Sequence, residues 1–191
     1  MRITSDAELY EAVDEASDRL QAIQDYLKQR ADPKGQVRFP RGFLRTAQYQ
    51  RTRLRFVRNP TLRVNISYAL MLSDVYAWIR LRTDLAGTAR DQVAKAAVFL
   101  AGAISEALLE DALRGKVGRK KKFRDRTKYL REHGVIDETL ESDLNWMWDT
   151  RNNMHLMRPE ESEFDKYSDR DFDRAGQTLR GLLRALEGIP A

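Results

Sequence analysis

Apolar residues return every three or four positions along most of this chain, and that period is the one an α-helix imposes. The first example is the cleanest. Ser5-x-x-Glu8 has the pattern of an N-terminal capping box, and behind it Leu9, Val13, Ala16, Leu20, Ile23 and Leu27 fall 4, 3, 4, 3 and 4 residues apart. This predicts one amphipathic helix ending near Ala31, ahead of Pro33 and Gly35. Its narrow stripe is expected to pack on its own domain, with a seam for a partner helix as the alternative.

The same reading continues downstream. Residues 32–60 carry Pro33, Gly35, Pro40, Gly42 and Pro60 and read as an irregular basic connector, with a short helix over 43–51 and a short strand over 51–58 as an alternative. From Thr61, residues Tyr68, Met71, Leu72, Val75, Trp78 and Ile79 recur at helical spacing, up to a gap at Gly87. Val93, Ala97, Leu100, Ile104 and Leu108 form the next stripe, and the small residues Ala96, Ala101, Gly102 and Ala103 would let a neighbouring helix come close. A short helix over 121–132 stops at His133-Gly134. Asp137 caps a helix expected to reach Met157, stopped by Pro159. Ser168-x-x-Asp171 caps the last, with Phe172, Ala175, Leu179, Leu182, Leu183 and Leu186 inward. The expected fold is all-α: an antiparallel up-and-down helical bundle over residues 61–191, preceded over 1–60 by an acidic helix and the basic connector.

Composition narrows the chemistry. At 191 residues the chain is long enough for one core-forming domain, and with no cysteine it has no disulfide, thiolate nucleophile or cysteine-bound metal. Two histidines argue against a multi-histidine metal site, and no cofactor is expected. The longest uncharged apolar run, residues 96–104, is about half of the ~20 residues a membrane-spanning helix needs. The first residues turn acidic at once and lack an apolar signal core, so the expected location is cytoplasmic.

The net charge of +5 is unevenly spread. Residues 1–27 hold seven acids against Arg2 and Arg19, whereas residues 28–63 hold eleven bases against Asp32. That second run, with Arg41, Arg45, Arg51, Arg53 and Arg55, is interleaved with Phe39, Phe43, Tyr49 and Phe56, and a lysine-led run at 119–131 includes Lys120, Lys121 and Lys122. Arginine forks match phosphate geometry and aromatic faces stack on unpaired bases, so these residues are candidate nucleic-acid contacts. The alternative is that both runs are solvated surface, or partners for the acidic first helix.

One helix carries a chemical anomaly. Its stripe runs Leu140, Leu144, Trp148 and then Arg151 and His155, placing a guanidinium and an imidazole on the face expected to be buried. A histidine can move a proton near neutral pH, and an arginine can hold a phosphate and offset developing charge. The alternative is structural: Arg151 paired with Glu106 or Asp149, and His155 satisfying a helix end.

The segment WMWDTRNNMHL (residues 146–156) resembles the signature helix of the HEPN superfamily. The helix KAAVFLAGAISEALLEDAL resembles the family's preceding helix, with Gly102 and Glu106 at its small and acidic positions, and the resemblance covers about residues 61–187. It implies a dimer in which two motifs share a cleft, RNA as substrate, metal-independent cleavage and a toxin or defence role under a cognate antitoxin or regulator. It further implies that Arg151 takes the phosphate, His155 moves the proton, Asn152 positions and Glu106 orients the motif. Three residues separate Arg151 from His155, against four to six in the common family motif. A non-catalytic module for dimerisation or partner binding is therefore the alternative.

Overall fold

The chain, described from a computed structural model at residues 2–118, 122–153 and 166–188, is helical, with seven α-helices among the described residues. They are α1 (Asp6–Leu27), α2 (Ala47–Arg53), α3 (Pro60–Arg82), α4 (Gly87–Ala112), α5 (Phe123–Glu132), α6 (Glu138–Asn152) and α7 (Asp169–Glu187). Two compact units result, Met1–Arg41 and Gly42–Ala191.

The first unit is α1 and a short 3-10 turn, Pro33–Gly35. The Ser5 hydroxyl caps α1 by accepting the Glu8 N–H at 3.2 Å. Glu8 returns its carboxylate to Thr4 N at 2.8 Å, one residue before the expected box partner. The helix ends at Leu27, four residues short of Ala31. None of its residues is buried. On its stripe Leu9, Val13, Leu20 and Ile23 are exposed.

The second unit is a helical bundle built around α4, which packs against α3, α5, α6 and α7. Central position explains why α4 is apolar on several faces: Ala94, Val98, Ala101, Ile104, Leu108 and Leu109 are all buried. Counting only the uncharged run understated this helix, since α4 is long and apolar enough to cross a membrane by length and composition. Part of its apolar surface is met here by neighbouring helices. The expected stripe is correct at Ile104 and Leu108, whereas Val93, Ala97 and Leu100 are only half-buried.

In α3 the buried positions are Ile66, Ser67, Leu70 and Asp74. The expected stripe is rotated away from them, with Tyr68 and Leu72 exposed. That face packs on α2 and α4 and holds an ion pair: the buried Asp74 carboxylate accepts the Arg45 backbone N–H at 3.0 Å and binds the Arg45 guanidinium. A charge can occupy a core face when paired in this way, and no hydrophobic period reveals it.

Residues 42–60 lie with the bundle unit, so its start precedes Thr61. Leu54 and Val57 belong to its core. The expected helix over 43–51 is observed as α2, shifted to Ala47–Arg53, and 51–58 forms no strand. Asp111, buried at the end of α4, accepts Arg58 N at 2.7 Å and Asn59 N at 3.3 Å and so fixes the entry to α3.

The remaining helices follow their sequence signals. Asp137 accepts the Leu140 N–H at 2.7 Å, and Ser168 and Asp171 form the reciprocal box. Gly134 has φ +67° after α5, a backbone that glycine adopts without strain. In α7, Ala175, Leu179, Leu182, Leu183 and Leu186 are buried as expected, with Phe172 half-buried. Acidic residues of α7 tie it to α3 and α4: Arg80 reaches Asp169 at 3.1 Å and Asp173 at 2.7 Å, and Arg90 reaches Asp169 at 2.8 Å. The Arg90 hydrogen bond, reinforced by Arg80, holds the Asp169 carboxyl below its ordinary value against a smaller opposing effect of burial.

Candidate functional site

Arg151 sits in the last turn of α6, where the helix crosses α4. The crossing is close because α4 offers a glycine. A Cβ on Gly102 would lie 3.2 Å from Arg151 Cβ and 3.4 Å from its Cγ, so the arginine stem runs over bare backbone. One turn further along α4, Glu106 Oε2 lies 3.2 Å from Arg151 Nη1. The same Nη1 donates to Asn152 Oδ1 at 3.3 Å. The guanidinium also lies over two rings, 4.9 Å from the Trp148 centroid and 5.5 Å from that of Phe99. Such stacking suits a planar cation that has been partly desolvated.

Gly102, Glu106, Arg151 and Asn152, which the family resemblance groups, come to one place in the fold. Of the two proposed acidic partners of Arg151, Glu106 is observed, while Asp149 pairs with Arg124. The Arg151 side chain keeps 24% of its surface open and Phe99 is 46% exposed. The group is therefore anchored and still reachable. Phe99 went unnoticed in the sequence because an exposed aromatic residue on an apolar helix has no signature there.

His155 lies outside the described residues, as do Lys120, Lys121 and Met157. The described α6 ends at Asn152, with Asn153 as its C-cap.

The candidate nucleic-acid residues are placed as follows. Arg45 is held by Asp74, whose hydrogen bond raises the guanidinium pKa above its ordinary value. Arg51 donates to Gln48 Oε1 at 3.0 Å, and Arg53 lines a small apolar groove with Arg45. Arg55 is exposed, and its carbonyl faces Arg63. Arg41 is exposed in the first unit. Lys122 is exposed as the N-cap of α5, where its N–H donates to Asp125 Oδ2 at 2.9 Å. Arg45 and Lys122 thus have structural duties that the charge runs did not reveal.

Trp148, Trp146 and His133 make contacts within the bundle. Trp148 stacks on Phe123 with centroids 4.5 Å apart, and Trp146 carries the Arg174 guanidinium at 4.1 Å. The His133 ring lies on Tyr129, with Nδ1 2.8 Å from the Tyr129 carbonyl. A cleft of about 740 Å³ opens beside α6, lined by residues that include Arg124, Asn145, Trp146, Asp149 and Asn153. Arg151 and Glu106 are not among its walls.

No family model matches the chain, and no curated protein or solved structure matches it either.

Proposed function

We propose that this chain is a HEPN-like RNA-binding protein in which Arg151 meets an RNA phosphate. The observation that supports this reading most is the state of Arg151: gripped by Glu106 and two rings at a close helix crossing, with part of its guanidinium open to solvent. Pre-positioned charge costs little reorganisation when a phosphate arrives. In the full form of the proposal two copies pair in the cytoplasm, a cognate antitoxin or regulator restrains them, and RNA is cut without a metal. The RNA 2′-hydroxyl gives up its proton and attacks the adjacent phosphorus. The bond to the 5′-oxygen breaks, and that oxygen takes a proton, leaving a 2′,3′-cyclic phosphate and a 5′-hydroxyl. His155 serves these proton transfers, Arg151 offsets the charge on the phosphoryl oxygens, Asn152 positions and Glu106 holds Arg151.

The test uses purified full-length protein and RNA in chelator. Wild type is expected to cut, with Arg151→Ala and His155→Ala each losing at least about a hundredfold in rate, the scale of one electrostatic or acid–base group. Absence of cleavage, or equal cleavage by all three proteins, overturns the enzymatic claim.

One observation favours a second reading. Glu106 already compensates Arg151, as in a structural pin joining α4 to α6. A non-catalytic module for dimerisation or partner binding then follows. Under it Arg151→Ala lowers the melting temperature and Glu106→Gln does the same, with no cleavage to lose.

A further inference from the structure

The exposed face of α1 is the largest apolar feature without cover in the first unit. Leu9, Val13, Leu20 and Ile23 are exposed, and Tyr10 and Tyr26 even more so. Their spacing is a strict heptad, with Leu9, Ala16 and Ile23 at d and Val13, Leu20 and Leu27 at a. A helix that packs on a globular core usually shows a wider stripe than this.

The charges identify what fits the seam. In the same register Glu8, Glu11, Asp14, Glu15, Asp18 and Asp25 all fall on the outer b, c and f positions. Only Asp6, in the first turn, precedes the seam at an a position. The flanking e and g positions are Tyr10, Ala12, Ser17, Arg19, Gln24 and Tyr26, without an acid among them. A basic partner helix would be chosen by acids at e and g, and here there are none. A second copy of α1 meets no like-charge acid pair across the seam. Arg19, which comes opposite Arg19 of the second copy, is paired with Glu15 of its own helix at 2.5 Å.

Size and polarity then set the direction. With the two helices antiparallel and centred near residue 18, Ala16 faces Leu20 of the second copy, Val13 faces its Ile23, and Leu9 faces its Leu27. Small thus meets large at the middle layer. Tyr26 comes to lie over Ala12 of the second copy, and Tyr10 over its Gln24, which gives both exposed rings a place. The acidic first turns come level with Lys28 and Arg30, and the helix dipoles oppose. A parallel pair would instead set two acidic N-terminal halves side by side.

We infer that α1 is a self-pairing helix, joining two copies of this chain through an antiparallel two-stranded coiled coil along Leu9, Val13, Ala16, Leu20, Ile23 and Leu27. This pairing is independent of the Arg151 site, so Arg151→Ala leaves it intact.

Sedimentation of the full chain over a concentration series tests it. Wild type is expected to dimerise, and Val13→Asp and Leu20→Asp to raise the dissociation constant at least about tenfold, since each buries a charge in the seam. The thermal melt of the bundle is expected to stay unchanged in both. A monomeric wild type, or variants that dimerise as well as wild type, overturns the inference. Because the chain has no cysteine of its own, direction is read by oxidation. The double variant Leu9→Cys with Leu27→Cys is expected to give cross-linked dimers and either single variant none. Cross-linking of the single variants overturns the antiparallel arrangement.

Discussion

Helices α1 and α7 obey the same local rules and meet different fates. Each begins at a serine whose hydroxyl accepts the N–H three residues on, with acids in the first turn. Each carries an apolar stripe at helical spacing. Yet α7 buries Ala175, Leu179, Leu182, Leu183 and Leu186 against α4 and α6, whereas α1 buries nothing. Amphipathicity states which face of a helix must be covered. It leaves open what covers it.

The largest expected effect comes from cutting the same side chain in the two helices. Leu182→Ala should destabilise the bundle by about 2–5 kcal/mol in urea denaturation, because Leu182 is fully buried and its loss leaves a cavity. Leu20→Ala should cost about 0.5 kcal/mol or less at high dilution. If α1 pairs with a second copy, the Leu20→Ala cost should grow with protein concentration.

Next comes the ion pair that joins the start of the bundle to α3. Asp74→Ala should cost about 1–3 kcal/mol, less than the loss of a wholly buried pair because half of the Arg45 side chain reaches water. Glu15→Ala in the exposed Glu15–Arg19 pair of α1 should fall below about 0.5 kcal/mol in the same assay.

A smaller effect of opposite sign is expected at Gln50. Its side chain is buried in α2, and neither its oxygen nor its nitrogen has a hydrogen-bond partner among the described residues. Gln50→Leu should stabilise the bundle by about 1 kcal/mol, read from the urea midpoint. Gln21 on α1 donates to Asp25 in solvent, and Gln21→Leu should bring no such gain to a dilute chain.

The smallest effect is in pH. The Asp169 carboxyl is held below its ordinary value of 3.8 by Arg90 and Arg80, so its contribution is complete above that value. It is lost as the pH falls from 3.8 through the lowered folded value. Asp169→Asn should flatten this part of the acid limb of bundle stability, followed by circular dichroism. In α1, Glu8 is lowered by hydrogen bonds from Thr4, and Glu8→Gln should leave the bundle's acid limb unchanged.

Much of the fold could be read from local signals. Ser5, Asp137 and Ser168 each cap the helix expected of them, and α7 turns inward the leucines that its period selected. What escaped the sequence depends on partners far along the chain. Asp74 is satisfied by Arg45, 29 residues away, and Asp111 by Arg58, 53 residues away. Both charges sit on buried faces that a hydrophobic count assigns to solvent. At the candidate site the residues alone offered Glu106 or Asp149 as partners of Arg151 and several small residues for a close crossing, and the family resemblance is what grouped Gly102 and Glu106 with Arg151. The ring of Phe99 over the guanidinium was not legible, since it is a matter of rotamer and approach.

The central position of α4 also decides how the bundle comes apart. Four helices rest on it, α7 most extensively, and removal of α7 would lay bare a long apolar flank. Intermediate states are therefore costly, and amide protons in the middle of α4 should exchange with deuterium only when the whole bundle opens, while those of an unpaired α1 exchange by simple fraying.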